Sequence, residues 1–136
     1  MSNDATISRT YDFEAAHFLP HVPEGHKCRR VHGHSYTLVV YVTGPVHETG
    51  PEQGMVVDFE KMDAIGSALK RDVDHTLLNE SLHPNPTVEN MAPLVWGRFA
   101  TGLPGMRVDI VFSEGPRSRC EYPPRLRTPV AENAAP

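Results

Sequence analysis

His32-Gly33-His34 places two imidazoles at i and i+2. On a strand those side chains share a face and can converge on one ion. Glycine between them leaves room for another backbone or a ligand to approach closely. His17 lies in phase with Phe13 and Ala15 if an earlier strand continues that far, and antiparallel pairing of the two strands would bring it beside His32 and His34. Three neutral imidazoles with one open position form a catalytic zinc arrangement. The plainer alternative is a set of surface and core histidines that never meet.

Cys28 separates two chemistries. As a fourth ligand it would close the site into a structural zinc centre. Off the metal, it is a free thiol beside an open one. His26, Lys27, Arg29 and Arg30 flank it, and positive charge nearby stabilises a thiolate. The same cations could bind an anionic substrate, or form a solvated loop face. Asp74-His75 offers a carboxylate able to orient an imidazole for acid–base work, or an ordinary helix-terminal turn. Glu114 ends a strand that reads as buried, where a carboxylate is unexpected unless paired. It can accept two parallel hydrogen bonds from a planar N–H pair, carried by an arginine of this chain, a guanine or a pterin ring.

The elements that must position these groups follow from periodicity. Residues 5–13 alternate as a strand, and residues 33–43 are the clearest strand, rich in β-branched and aromatic side chains. Pro20, Pro23 and Gly25 make 19–31 a loop, and residues 44–54 form a turn-rich connection. Asp58 can cap a helix carrying Phe59, Met62, Ile65, Leu69 and Val73. A second helix starts at Thr87 with Val88, Met91, Ala92, Val95 and Phe99 on one face. Pro93 inside it predicts a kink or a displaced start, since an interior proline costs about 3 kcal/mol. Residues 106–113 alternate as a third strand, and a short fourth follows around 118–122. Two strands, two helices and two strands predict an α+β fold, an antiparallel sheet with helices on one face. Its open edges favour self-association.

The chain has 136 residues, which predicts one catalytic domain over 1–122 and a proline-rich, mobile tail over 123–136. Eight histidines stand against three lysines, and five of the eight fall within residues 17–34. Even scatter would place roughly one there. The net charge is −4 and the isoelectric point about 6.0, which argues against a nucleic-acid footprint. No apolar run approaches the ~18 residues of a membrane span, and the first residues lack the pattern of a secretory signal. Cys28 and Cys120 are too few for a disulfide framework. Both read as reduced thiols of a cytoplasmic protein, with Cys120 structural; a Cys28–Cys120 bridge is the alternative.

Several motifs in order resemble the 6-pyruvoyltetrahydropterin synthase superfamily. They are Phe13-Glu14-Ala15-Ala16-His17, Cys28 followed by His32-Gly33-His34, Gly54-Met55-Val56-Val57-Asp58-Phe59, Asp74-His75, Asn85-Pro86-Thr87-Val88-Glu89, and Glu114. The stretch from Leu19 to Cys28, and the three residues between Cys28 and His32, are most similar to the bacterial 6-carboxytetrahydropterin synthase branch of queuosine biosynthesis. The resemblance implies the tunnelling fold (ββααββ), with sheets joined into a barrel by oligomerisation, two trimers pairing as a homohexamer, and active sites at subunit interfaces. No membrane partner is expected, on the absence of a long apolar run. The resemblance also implies a lyase that converts 7,8-dihydroneopterin triphosphate to 6-carboxy-5,6,7,8-tetrahydropterin, acetaldehyde and triphosphate. His17, His32 and His34 would bind Zn2+, Cys28 would be the general base, and Asp74 and His75 the proton relay. Glu114 would anchor the pterin, with Thr87 as a second contact. Lys27, Arg29 or Arg30 would meet the triphosphate. The alternatives are a pyruvoyl-product enzyme of the same superfamily and a small structural-zinc binding module. Gly115-Pro116 after Glu114, and the bulky Arg29-Arg30 pair, depart from the family pattern.

Overall fold

The computed structural model describes residues 3–124. Four strands, β1 (Asp4–His17), β2 (His32–Pro45), β3 (Arg107–Glu114) and β4 (Ser118–Tyr122), form one antiparallel sheet in sequence order. Helices α1 (Phe59–Val73), α2 (Leu78–Ser81) and α3 (Val88–Gly102) lie between β2 and β3 in the chain. Alternation decides which sheet face is covered. Phe13 and Ala15 of β1, Tyr36, Leu38, Val40 and Val42 of β2, and Val108, Ile110 and Phe112 of β3 are buried in one core cluster. Met62, Leu69 and Val73 of α1 and Met91, Ala92, Val95 and Phe99 of α3 complete it. All the helices therefore pack on one face, the α+β arrangement expected.

The caps sit where the sequence places them. The Asp58 side chain accepts the Glu60 N–H at 2.9 Å, and the Thr87 hydroxyl accepts the Asn90 N–H at 3.1 Å. Helix α3 starts at that cap and runs through Pro93, so the displaced start is not found.

Three details differ from expectation. The order is ββαααββ, not ββααββ, because α2 adds one turn between α1 and α3; four residues are too few to show a helical period. A 3-10 turn at Lys27–Arg29 interrupts the 19–31 loop. β1 runs on to His17, beyond residue 13, because β2 pairs with it down to His17–His32, while residues 75–77 add contacts along its outer edge. The expected mobile tail falls mostly outside the described residues. Among the described residues, no helix is long and apolar enough to cross a membrane.

Candidate metal centre and active site

β1 and β2 deliver the histidines together. His17 ends β1 and His32 begins β2, and the two are cross-strand partners, while His34 lies opposite Ala15. The register carries the inward phase of Phe13 and Ala15 to His17, which is 1% exposed. Ring centroids are 4.6 Å apart for His17–His32, 5.0 Å for His17–His34 and 4.9 Å for His32–His34. One ligating atom from each ring lies within 4.8 Å of the other two. A Cβ on Gly33 would meet only the Ala15 carbonyl, at an ordinary 3.6 Å. The chain's own packing therefore does not require that glycine.

The tautomers are set from behind. His17 Nδ1 is 2.9 Å from the Pro86 carbonyl, and His32 Nδ1 is 2.7 Å from the Arg30 carbonyl. A carbonyl only accepts, so each Nδ1 carries the proton and each Nε2 presents a lone pair. The Tyr36 hydroxyl is 3.4 Å from His17 Nδ1, and its ring stacks between Phe13 and Phe112 under the site. Burial pushes the Tyr36 phenol well above its ordinary pKa.

The Nε2 atoms of His17 and His34 are buried and have no hydrogen-bond partner among the described residues. Both face Glu114. His34 Nε2 is 3.3 Å from Oε1 and His17 Nε2 is 3.9 Å from Oε2, neither aligned as a hydrogen bond. Protonating His17 is a poor remedy, because burial outweighs the Pro86 carbonyl and Glu114 and lowers its pKa. A divalent cation shared by the three imidazoles would satisfy both orphaned nitrogens. Imidazoles whose other nitrogen donates to a carbonyl are the usual support for such an ion. The donor set fits zinc.

Cys28 sits on the 3-10 turn, where the His26 imidazole caps its N–H at 3.0 Å and its carbonyl accepts Leu19 N–H at 2.8 Å. It does not belong to the three-histidine group, and both cysteines are free thiols. Instead Cys28 lines a cavity of about 480 Å³ with Lys27, His32, His34, Glu114 and Arg117. Among the described residues, Glu114 therefore faces the His17 and His34 imidazoles and forms no ion pair with an arginine.

The other expected site residues are placed differently. Asp74 Oδ1 is 3.1 Å from His75 Nδ1 and also accepts the Glu14 N–H at 2.9 Å. That backbone hydrogen bond is the main cause holding the Asp74 carboxyl below its ordinary pKa. His75 is the one described non-glycine residue with positive φ, at 58°, and its side chain is 77% exposed. His75, but not Asp74, lines a separate hollow with Glu14, Val31, His34, Ser35 and Thr76. Within one chain, then, His75 and Cys28 open onto different cavities that share His34. Thr87 lines neither cavity, and its hydroxyl is engaged as the α3 cap. Arg29 spends a guanidinium nitrogen on the Val22 carbonyl at 2.9 Å, whereas Lys27 and Arg117 at the cavity mouth have no ion-pair partner among the described residues. Sequence reasoning missed Pro86 as the carbonyl behind His17, and Arg117. Residue type does not report where a carbonyl points, but an arginine three positions past Glu114 was a usable signal.

A family model described as 6-pyruvoyl tetrahydropterin synthase matches residues 6–125. The chain is 40% identical over 124 residues to a Synechocystis sp. protein named 6-carboxy-5,6,7,8-tetrahydropterin synthase, covering 88% of this chain and 95% of that protein. It is 35% identical over 140 residues to a Haemophilus influenzae protein of the same name, covering 85% and 96%. The structure of Caenorhabditis elegans 6-pyruvoyl tetrahydropterin synthase shares its fold with a TM-score of 0.76 at 24% identity, covering 91% of this chain and 98% of that one.

Proposed function

This chain belongs to the 6-pyruvoyl tetrahydropterin synthase family, and from that premise we propose that it makes 6-carboxy-5,6,7,8-tetrahydropterin. The substrates are 7,8-dihydroneopterin triphosphate and water, the other products acetaldehyde and triphosphate, and the setting cytoplasmic queuosine (7-deazaguanine) biosynthesis. The observation that carries this reading is the meeting of three histidines, a free thiol and Glu114 around one cavity, in a chain similar to proteins bearing that enzyme's name.

His17, His32 and His34 hold the zinc ion. When bound, zinc supplies Lewis acidity to oxygens of the substrate side chain. Glu114 accepts two parallel N–H donors of the pterin, and the charge-assisted pair orients the ring. Cys28, held by the His26 cap, takes a proton from the side-chain carbon as general base. Asp74 keeps His75 oriented through Nδ1, so that its other nitrogen can carry protons. Lys27 meets the triphosphate at the cavity mouth.

Because Cys28 and His75 open onto different cavities, the relay serves the thiol of a neighbouring copy. β1 and β4 are the two edges of the sheet, and joining such edges between copies builds the barrel of a homohexamer, a dimer of trimers.

Cys28→Ala tests the reading against a structural-zinc module. The open catalytic site keeps its zinc and loses turnover. Loss of zinc together with stability would mean that the thiol closes the site, and the proposal would fall.

A further inference from the structure

β1 pairs with β2 on one side only, so its other edge carries backbone groups that need partners. Residues 74–79 supply them over a short stretch. The Asp74 carboxylate accepts Glu14 N–H at 2.9 Å, His75 N–H donates to the Glu14 carbonyl at 2.6 Å, and Ala16 N–H donates to the Thr76 carbonyl at 2.9 Å. The next rung comes from a side chain. The Asn79 carboxamide accepts the Phe18 N–H at 3.0 Å and donates to the Phe18 carbonyl at 2.8 Å, so one amide group stands in for a peptide unit. A third contact, at 3.4 Å, reaches the Pro84 carbonyl.

Those contacts bracket a metal ligand. Phe18 follows His17 directly, and Pro84 begins the turn whose Pro86 carbonyl fixes the His17 tautomer. That turn is tied to α3 by Asn90, whose amide donates to the Asn85 carbonyl at 2.9 Å. His17 ends its strand, where fraying would otherwise be easiest, and the rung closes that end.

We propose that Asn79 is a positioning residue for the metal centre, clamping Phe18 and the Pro84 turn so that His17 keeps both its place among His32 and His34 and its tautomer. The inference rests on the three histidines binding a metal. No apolar residue can replace the rung, because Phe18 N–H and C=O need an acceptor and a donor side by side, which a side-chain amide provides.

The test is zinc affinity by chelator competition for the wild type, Asn79→Ala, Asn79→Asp and the remote core variant Met62→Ala, beside the melting temperature of each metal-free protein. Asn79→Ala should bind zinc about tenfold more weakly, the lower end of the loss seen when the support behind a ligand is removed. Asn79→Asp keeps the acceptor and loses the donor, so it should fall between the two. It also keeps the test available should Asn79→Ala fail to fold. Met62→Ala should melt earlier with unchanged zinc affinity. Wild-type affinity in both Asn79 variants overturns this inference alone. Absence of zinc binding by the wild type overturns the metal reading and the inference with it.

Discussion

Removing His34 gives a measurable test of the metal centre. Its Nε2 and that of His17 are buried without hydrogen-bond partners among the described residues, and each such orphan costs about 1–3 kcal/mol. Relief of that cost is part of the binding free energy, and the net linkage stabilisation is about 2.7 kcal/mol when free zinc is a hundredfold above its dissociation constant. For a chain of this length, roughly 4 °C accompanies each kcal/mol, so zinc should raise the melting temperature by about 10 °C. His34 is the informative position, because its side chain is 26% exposed and His17 only 1%. His34→Ala thus opens little cavity, and the metal-free variant should stay within about 1 kcal/mol of the wild type. With two ligands left, the zinc-dependent rise should shrink below about 2 °C. Differential scanning calorimetry of chelator-treated protein, with and without buffered zinc, reads both numbers. An equal rise in the variant would refute the assignment of the site to these three imidazoles.

Lys27→Glu should raise KM for the triphosphate substrate at least tenfold while leaving a dephosphorylated analogue nearly unaffected; steady-state kinetics on both compounds decides, and equal effects would remove Lys27 from the phosphate site. Gly66→Ala should destabilise the protein by about 1–3 kcal/mol in urea unfolding, because a Cβ there would lie 2.5 Å from Tyr11 Cε1 on a ring whose hydroxyl is held at 2.8 Å by Asp63. The metal-free protein should lose stability on acidification: burial lowers the native pKa of His17 below the ordinary 6.5, so the unfolded chain takes up the proton first. The loss begins as pH falls through 6.5 and levels off below the native value. His17→Gln should flatten that part of the curve of unfolding free energy against pH.

The histidine centre was legible because it is written in residue type and phase. Phe13, Ala15 and His17 share one parity and His32 and His34 another, so antiparallel pairing of two strands was enough to gather them. Glu114 was legible for the same reason, continuing the inward parity of Val108, Ile110 and Phe112. Spacing could not say whether Cys28 joins the three histidines, because that depends on the path of the 19–31 loop and on the 3-10 turn that places Cys28 among the residues lining the Glu114 cavity. Thr87 illustrates an ambiguity of chemistry. A threonine before a helix suits a ligand contact and an N-cap equally, and here its hydroxyl caps. Arg29 was one of three equal cations in sequence, but its bond to Val22 sets it apart from Lys27. The Asn79 rung was invisible, since it exists only once the chain after α1 lies along the edge of β1.

The most direct measurement incubates zinc-loaded protein with 7,8-dihydroneopterin triphosphate and quantifies pterin and aldehyde together. The account predicts 6-carboxy-5,6,7,8-tetrahydropterin and acetaldehyde in equal amounts, with none from protein stripped of metal. Triphosphate release without acetaldehyde, leaving the pyruvoyl pterin, would contradict it.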